Sequence, residues 1–202
     1  MTFVARRPTA EVLAVLLDHL IGLSHHVPGF PLLVTVMTPE EFQQYYPRLL
    51  GWIDTTLRAH SANARTVTSR GFPRLPLYFT ADTLASAKVV LADQLPLPPL
   101  SSWGLTCFAD FERGTFDGVT YMNFIFIKRN EQRNEAIHFH ELIHVVQWRI
   151  LGPEQFIRLY AEGLERFGYR DSPLEVMAYD AEVEFTANDV FNAEKMVAHK
   201  LG

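Results

Sequence analysis

The sequence predicts an α+β fold in which a small mixed sheet with an edge strand is backed by one helix and followed by two long helices rich in polar side chains. Three observations carry that reading. Residues 119–128 alternate, Val119, Tyr121, Asn123, Ile125 and Ile127 against Thr120, Met122, Phe124 and Phe126, and both sets are largely apolar, as suits a strand covered on both sides. Phe139, Leu142, Ile143, Val146 and Ile150 recur at the three- and four-residue spacing of a core-facing helix. Ser172-Pro173-Leu174-Glu175 opens a further helix with a capping residue, proline at the first position and an early acid.

At 202 residues the chain is long enough for a sizeable core and favours one domain, organised as a mainly helical region 1–74 and a second region 75–202. A formal charge of −5 with no long basic run argues against a nucleic-acid partner. No apolar run reaches membrane-spanning length, so no membrane partner is expected. The single cysteine, Cys107, cannot form an internal disulfide, which suits a reducing compartment. Arg6 and Arg7 before an apolar run imitate a signal peptide, but Asp18 and His19 interrupt the run. An ordinary first helix and a cytoplasmic location are expected. Oligomeric state has no signal in the sequence.

Taken in order, Pro8 to Leu23 reads as a helix, His25 and His26 as a solvated turn, and Leu32 to Met37 as a strand. Thr38-Pro39-Glu40-Glu41 caps a helix running to His60, with Pro47 a point of interruption. Residues 61–76 read as irregular chain, Leu77 to Phe79 as a short strand, and Thr80 as the cap of a helix from Ala81 to Gln94. The prolines of residues 95–102 make a connector. Strands follow at Leu105 to Phe111 and Val119 to Lys128, joined through the Asp117-Gly118 turn signal, with Cys107 a small buried side chain in the first. Asn130 or Asn134 caps the next helix, which Gly152-Pro153 ends, and another helix runs to about Phe167.

The chemistry gathers at His140-Glu141-Leu142-Ile143-His144. Residues four apart on a helix lie one turn above each other, so the two imidazoles can converge on one metal ion, with Zn2+ the first candidate. Glu141 sits at the edge of the same face, where its carboxylate can take a proton from an activated water without binding the metal. Residue frequencies alone give roughly 0.02 chance matches to this pattern. A catalytic zinc generally takes three protein ligands. Glu175 is the candidate third, with Glu182 and Asp180 as alternatives, because it begins a separate helix with enough chain to fold back across the metal.

At these residues the sequence resembles the zincin metallopeptidases of the gluzincin type, especially small bacterial members. The resemblance spans roughly Leu75 to Glu184 and includes Ser172-Pro173-Leu174-Glu175-Val176-Met177-Ala178-Tyr179, which looks like that group's glutamate-helix segment. It implies a zincin-like fold, His140, His144 and Glu175 as zinc ligands, and Glu141 as catalytic base. It also implies a peptide or protein substrate that pairs in extended form along an edge strand, here Val119 to Lys128. Larger gluzincins often place an aspartate four residues after the ligand glutamate, where this chain has Tyr179. An oxyanion partner is also expected, and Tyr179, His138, Tyr169 or Tyr160 could supply it, Tyr179 being taken with Glu141 as the catalytic pair although the sequence does not choose among the four. A deformylase-like site would need a cysteine ligand in a glycine-rich motif, which the flanks of Cys107 do not supply. The competing reading from a different class is a catalytically silent module that keeps zinc as a staple and binds a partner.

Overall fold

The structure, a computed structural model, describes residues 37–202, which belong to one compact unit. The expected helix Pro8 to Leu23, the turn at His25-His26 and nearly all of the strand from Leu32 lie outside the described residues. Helix α1, Pro39–His60, begins where expected: Glu41 N donates to Thr38 Oγ1 (3.2 Å) and Thr38 N donates back to Glu41 Oε2 (2.8 Å), a reciprocal cap. It runs through Pro47 without ending. Residues 61–76 are short turns of 3₁₀ helix around a two-residue strand β1, Arg65–Thr66.

Three sequence expectations change here. Leu77 to Phe79 is not a strand. A 3₁₀ turn covers Leu75–Leu77, and Tyr78 and Phe79 drive into an aromatic cluster with Phe139 and Phe185 instead. The helix capped by Thr80, α2, stops at Ala81–Ser86, and strand β2 follows at Lys88–Ala92. Val89-Val90-Leu91 prefers a pleated, doubly buried position over a helix, and a parallel partner strand supplies it. Leu105 to Phe111 is also not a strand: it holds a 3₁₀ turn at Thr106–Phe108 and the short helix α3, Ala109–Glu112. Cys107 is accordingly exposed, not buried, with Sγ 3.7 Å from Glu165 Oε1.

The expected long strand divides in two. Strand β3, Gly118–Tyr121, turns at Met122-Asn123 and returns as β4, Phe124–Lys128. The mixed sheet has the order β1-β2-β4-β3, with β2 and β4 parallel and the outer pairs antiparallel. Of the expected strand, therefore, only Val119–Tyr121 lies on an edge, as part of β3, whereas β4 is interior and buried on both faces. Even that edge is partly engaged, since Trp148 Nε1 donates to Thr120 O (3.2 Å).

Helix α4, Glu135–Asp171, has breaks at Gly152 (φ 72°) and Gly168 (φ 74°), left-handed conformations that glycine adopts without strain. The first break, before Pro153, falls where the sequence places a helix end. Helices α5, Pro173–Thr186, and α6, Ala193–Leu201, complete the chain. One face of the sheet, Val89, Ile125 and Ile127, packs on Phe139, Leu142, Ile143 and Val146 of α4. The other, Val90, Phe124 and Phe126, packs with Ile53 of α1 and Phe156 and Ile157 beyond the first break. Phe139 is fully buried and stacked on Phe185 (4.4 Å), so its truncation to alanine costs about 3–5 kcal/mol. Among the described residues no helix is long and apolar enough to cross a membrane.

Candidate metal centre

The apolar stripe of α4 fixes which way its histidines face. With Phe139, Leu142, Ile143 and Val146 locked against the sheet, His140 and His144 project together toward α5, their Nε2 atoms 3.2 Å apart. Each ring is oriented from behind. His140 Nδ1 lies 3.1 Å from Glu182 Oε2, and His144 Nδ1 lies 2.8 Å from Gln147 Oε1. A carboxylate and an amide oxygen can only accept, so in the neutral rings both Nδ1 atoms carry the hydrogen and both Nε2 lone pairs face inward. Gln147 is itself held, its Nε2 donating to Leu174 O (3.0 Å) at the base of α5.

Glu175, in the first turn of α5, closes the set. Its Oε1 is 3.3 Å from His144 Nε2 and its Oε2 is 3.4 Å from His140 Nε2. Tyr160 OH donates to Oε1 (2.7 Å), while Oε2 is buried without a hydrogen-bond partner. Ligand atoms about 2.1 Å from a zinc ion at tetrahedral angles stand roughly 3.4 Å apart. The two ring nitrogens stand near that figure and each carboxylate oxygen stands near it from one of them, all three ligand atoms lying within 4.8 Å of one another, and the orphaned Oε2 has the vacant lone pair a cation would use. The residues fit a metal ion, and among the described residues His140, His144 and Glu175 are the group close enough to hold one.

The surrounding carboxylates also favour an added proton on each imidazole, a positive charge that a bound metal ion would displace. Burial opposes charge on His140, but hydrogen bonds to Glu175 and Glu182 outweigh it and hold the imidazole up to about 10. His144 is also raised against burial, by the charge of Glu175. Glu175, although buried, is held far below the usual carboxylate range by His144 and His140. The cluster thus favours positive charge at its centre.

Glu141 stands beside the ligands and outside their set. It is 4% exposed, and burial pushes its carboxyl up despite the pull of His144, His140 and Thr120. Thr120 Oγ1 donates to its Oε2 (2.7 Å), fixing the carboxylate against β3. Two clefts converge here. An apolar one reaches Glu141, His144 and Glu175 from the side of α1, and a polar one lined by Asp117, Arg170, Tyr179 and Glu182 reaches His140 and Glu141 from the other.

The four oxyanion candidates separate. Tyr179 packs against His140 (4.5 Å) under the Arg170 guanidinium (3.8 Å) and lines the polar cleft. Tyr169, turned out of the helix by the break at Gly168, lines both clefts. Tyr160 spends its hydroxyl on Glu175. His138 is off the site, with Nδ1 on Asn134 O (2.8 Å) and its ring against Phe72 (4.5 Å). Of the alternative third ligands, Glu182 meets the rear nitrogen of His140, and Asp180 is outside the cluster. Sequence reasoning missed the supporting roles of Gln147, Thr120 and Gly118. Gln147 had a legible signal, standing three residues after His144 on the same helix. Thr120 and Gly118 had none, because only the folded hairpin brings them to Glu141. No known family, curated protein or solved structure matches the chain.

Proposed function

We propose that the chain is a zinc-dependent metallopeptidase with a zincin-like fold of the gluzincin type, in which His140, His144 and Glu175 hold the metal and Glu141 is the general base. The observation that carries this reading is the set of inward-facing donors within 4.8 Å of one another with a separately anchored carboxylate beside them. A site built only to brace the fold has no use for that fourth, non-ligating acid.

When bound, zinc acts as a Lewis acid on the scissile carbonyl and on the attacking water. The chain's own residues do the rest. Glu141, raised by burial and held by Thr120, takes the proton from the water and returns it to the leaving amine. Tyr169 and Tyr179 stand at the clefts where a phenol can donate to the oxygen that becomes negative. Glu182, Gln147 and Tyr160 keep the ligands in register.

Mass spectrometry of the purified protein should find about one zinc per chain, lost on His144→Ala. Glu141→Gln should keep the zinc and the melting temperature while peptide hydrolysis, read on a mixed peptide library, falls at least ~10²-fold. Wild-type protein that holds zinc yet cleaves nothing in that library would replace this reading with the silent, partner-binding module.

A further inference from the structure

The two clefts meeting at Glu141 are chemically unlike. On the His144 side the walls are apolar, and among the described residues their only charged side chains are those of the site itself, Glu141, His144 and Glu175. The α1 residues that line this cleft, Phe42 to Ile53, span roughly 16 Å of helix, and the cavity itself holds about 110 Å³. Its far wall includes the Trp148 and Phe156 rings, stacked at 4.0 Å. Two of its tyrosines present ring faces only, since Tyr121 OH donates to Pro96 O (2.8 Å) and Tyr160 OH donates to Glu175. Among the described residues only Tyr45, Tyr46 and Tyr169 can still offer hydroxyls there, so a strongly hydrated group entering would trade most of its water for few partners. On the His140 side, Asp110, Asp117, Arg170 and Glu182 line the opposite opening.

Resting on the proposed metal site, we infer that the substrate is an amide with one large apolar group, a long aliphatic chain or an aromatic system, seated in the cleft along α1. Its polar remainder leaves through the opening beside His140. The cleft is continuous with the reacting centre, so it selects the substrate on one side of the bond cleaved. Selectivity is therefore lopsided: bulk and apolarity are demanded toward His144 and hydration is tolerated toward His140.

Straight-chain hydroxamates separate this inference from the metal reading it rests on. Titration calorimetry on the zinc-loaded protein would compare acetohydroxamate, hexanohydroxamate, decanohydroxamate and phenylpropanohydroxamate, the last testing aromatic occupants. Affinity should tighten about threefold for each methylene added until the cleft is filled. Ala161→Phe, which narrows the cleft, should weaken decanohydroxamate at least tenfold and move acetohydroxamate less than about twofold. Leu49→Asn on the α1 wall makes the same test should Ala161→Phe fail to fold. Zinc-dependent binding of all four probes with no dependence on the tail would overturn the inference and leave the metal site standing. Tail-dependent binding that persists in chelated protein would keep the cleft and remove the metal from it.

Discussion

Gly118→Ala is a direct test of how the base is seated. Gly118 does not have a positive φ, so its conformation does not demand glycine. Space does: a Cβ there would lie 2.5 Å from Glu141 Oε1 and 2.9 Å from its Cδ and Cγ. Ordinary contact begins at 3.4 Å, so the carboxylate must retreat by about 0.9 Å, the difference between 3.4 and 2.5 Å. The hydrogen bond from Thr120 resists that retreat. Misplacing a catalytic group by about 1 Å costs on the order of 10²-fold in rate. The clash itself costs about 1–3 kcal/mol, less than the stability of an ordinary domain. The three atoms nearest the methyl all belong to Glu141 and none to the proposed zinc ligands, so metal content should hold. The assay pairs peptide turnover with zinc content and thermal melting of the same preparation. A folded, zinc-loaded Gly118→Ala protein with wild-type turnover would refute the assignment of Glu141 as a rigidly placed base.

Gln147→Leu removes the acceptor behind His144, and zinc affinity should fall about 10- to 100-fold in chelator competition; unchanged affinity would mean that the ring needs no such support. His138→Ala should leave zinc content unchanged, because that ring is held by Asn134 and Phe72; a loss like that of His140→Ala would bring it into the ligand set. Burial raises the Glu194 carboxyl, but hydrogen bonds from Thr80, Thr83 and Arg149 prevail and hold it down at about 2, against an ordinary 4.5. Its stabilisation is therefore complete above pH 4.5 and is lost as pH falls toward 2. Glu194→Gln should melt lower than wild type at neutral pH, and the gap should close over that acid range. A gap independent of pH would show that the charge of Glu194 does not contribute.

The centre was legible where its logic is local. His140 and His144 are one helical turn apart, so any helix through them makes the pair, and the apolar stripe decides which way the pair faces. Glu175 was legible through the cap and proline that open its helix. The sheet was harder to read because its decisive interactions are distant. Val89-Val90-Leu91 follows a helix cap and becomes a strand only because β4 lies alongside it. The hairpin turn at Met122-Asn123 has no glycine signal, and Met122 takes φ 57° because the strands on either side impose it. Asp117-Gly118 reads as a turn, yet Gly118 is required by the carboxylate it meets from another element.

The crossover between the parallel strands β2 and β4 bears on the order in which the molecule assembles. Residues 93–123, which include β3, make it without a long helix, and the pairing it closes joins the most sequence-distant of the paired strands. Helices α4 and α5 form from neighbouring chain, so His140, His144 and Glu175 can come together early. Thr120 and Gly118 meet Glu141 across only 21 and 23 residues, fewer than the 31 and 35 that separate Glu175 from His144 and His140, so by sequence separation the hairpin reaches α4 at least as readily as α5 does. A refolding intermediate that gathers His140, His144 and Glu175 should therefore already hold the Glu141 carboxylate in its seat on β3.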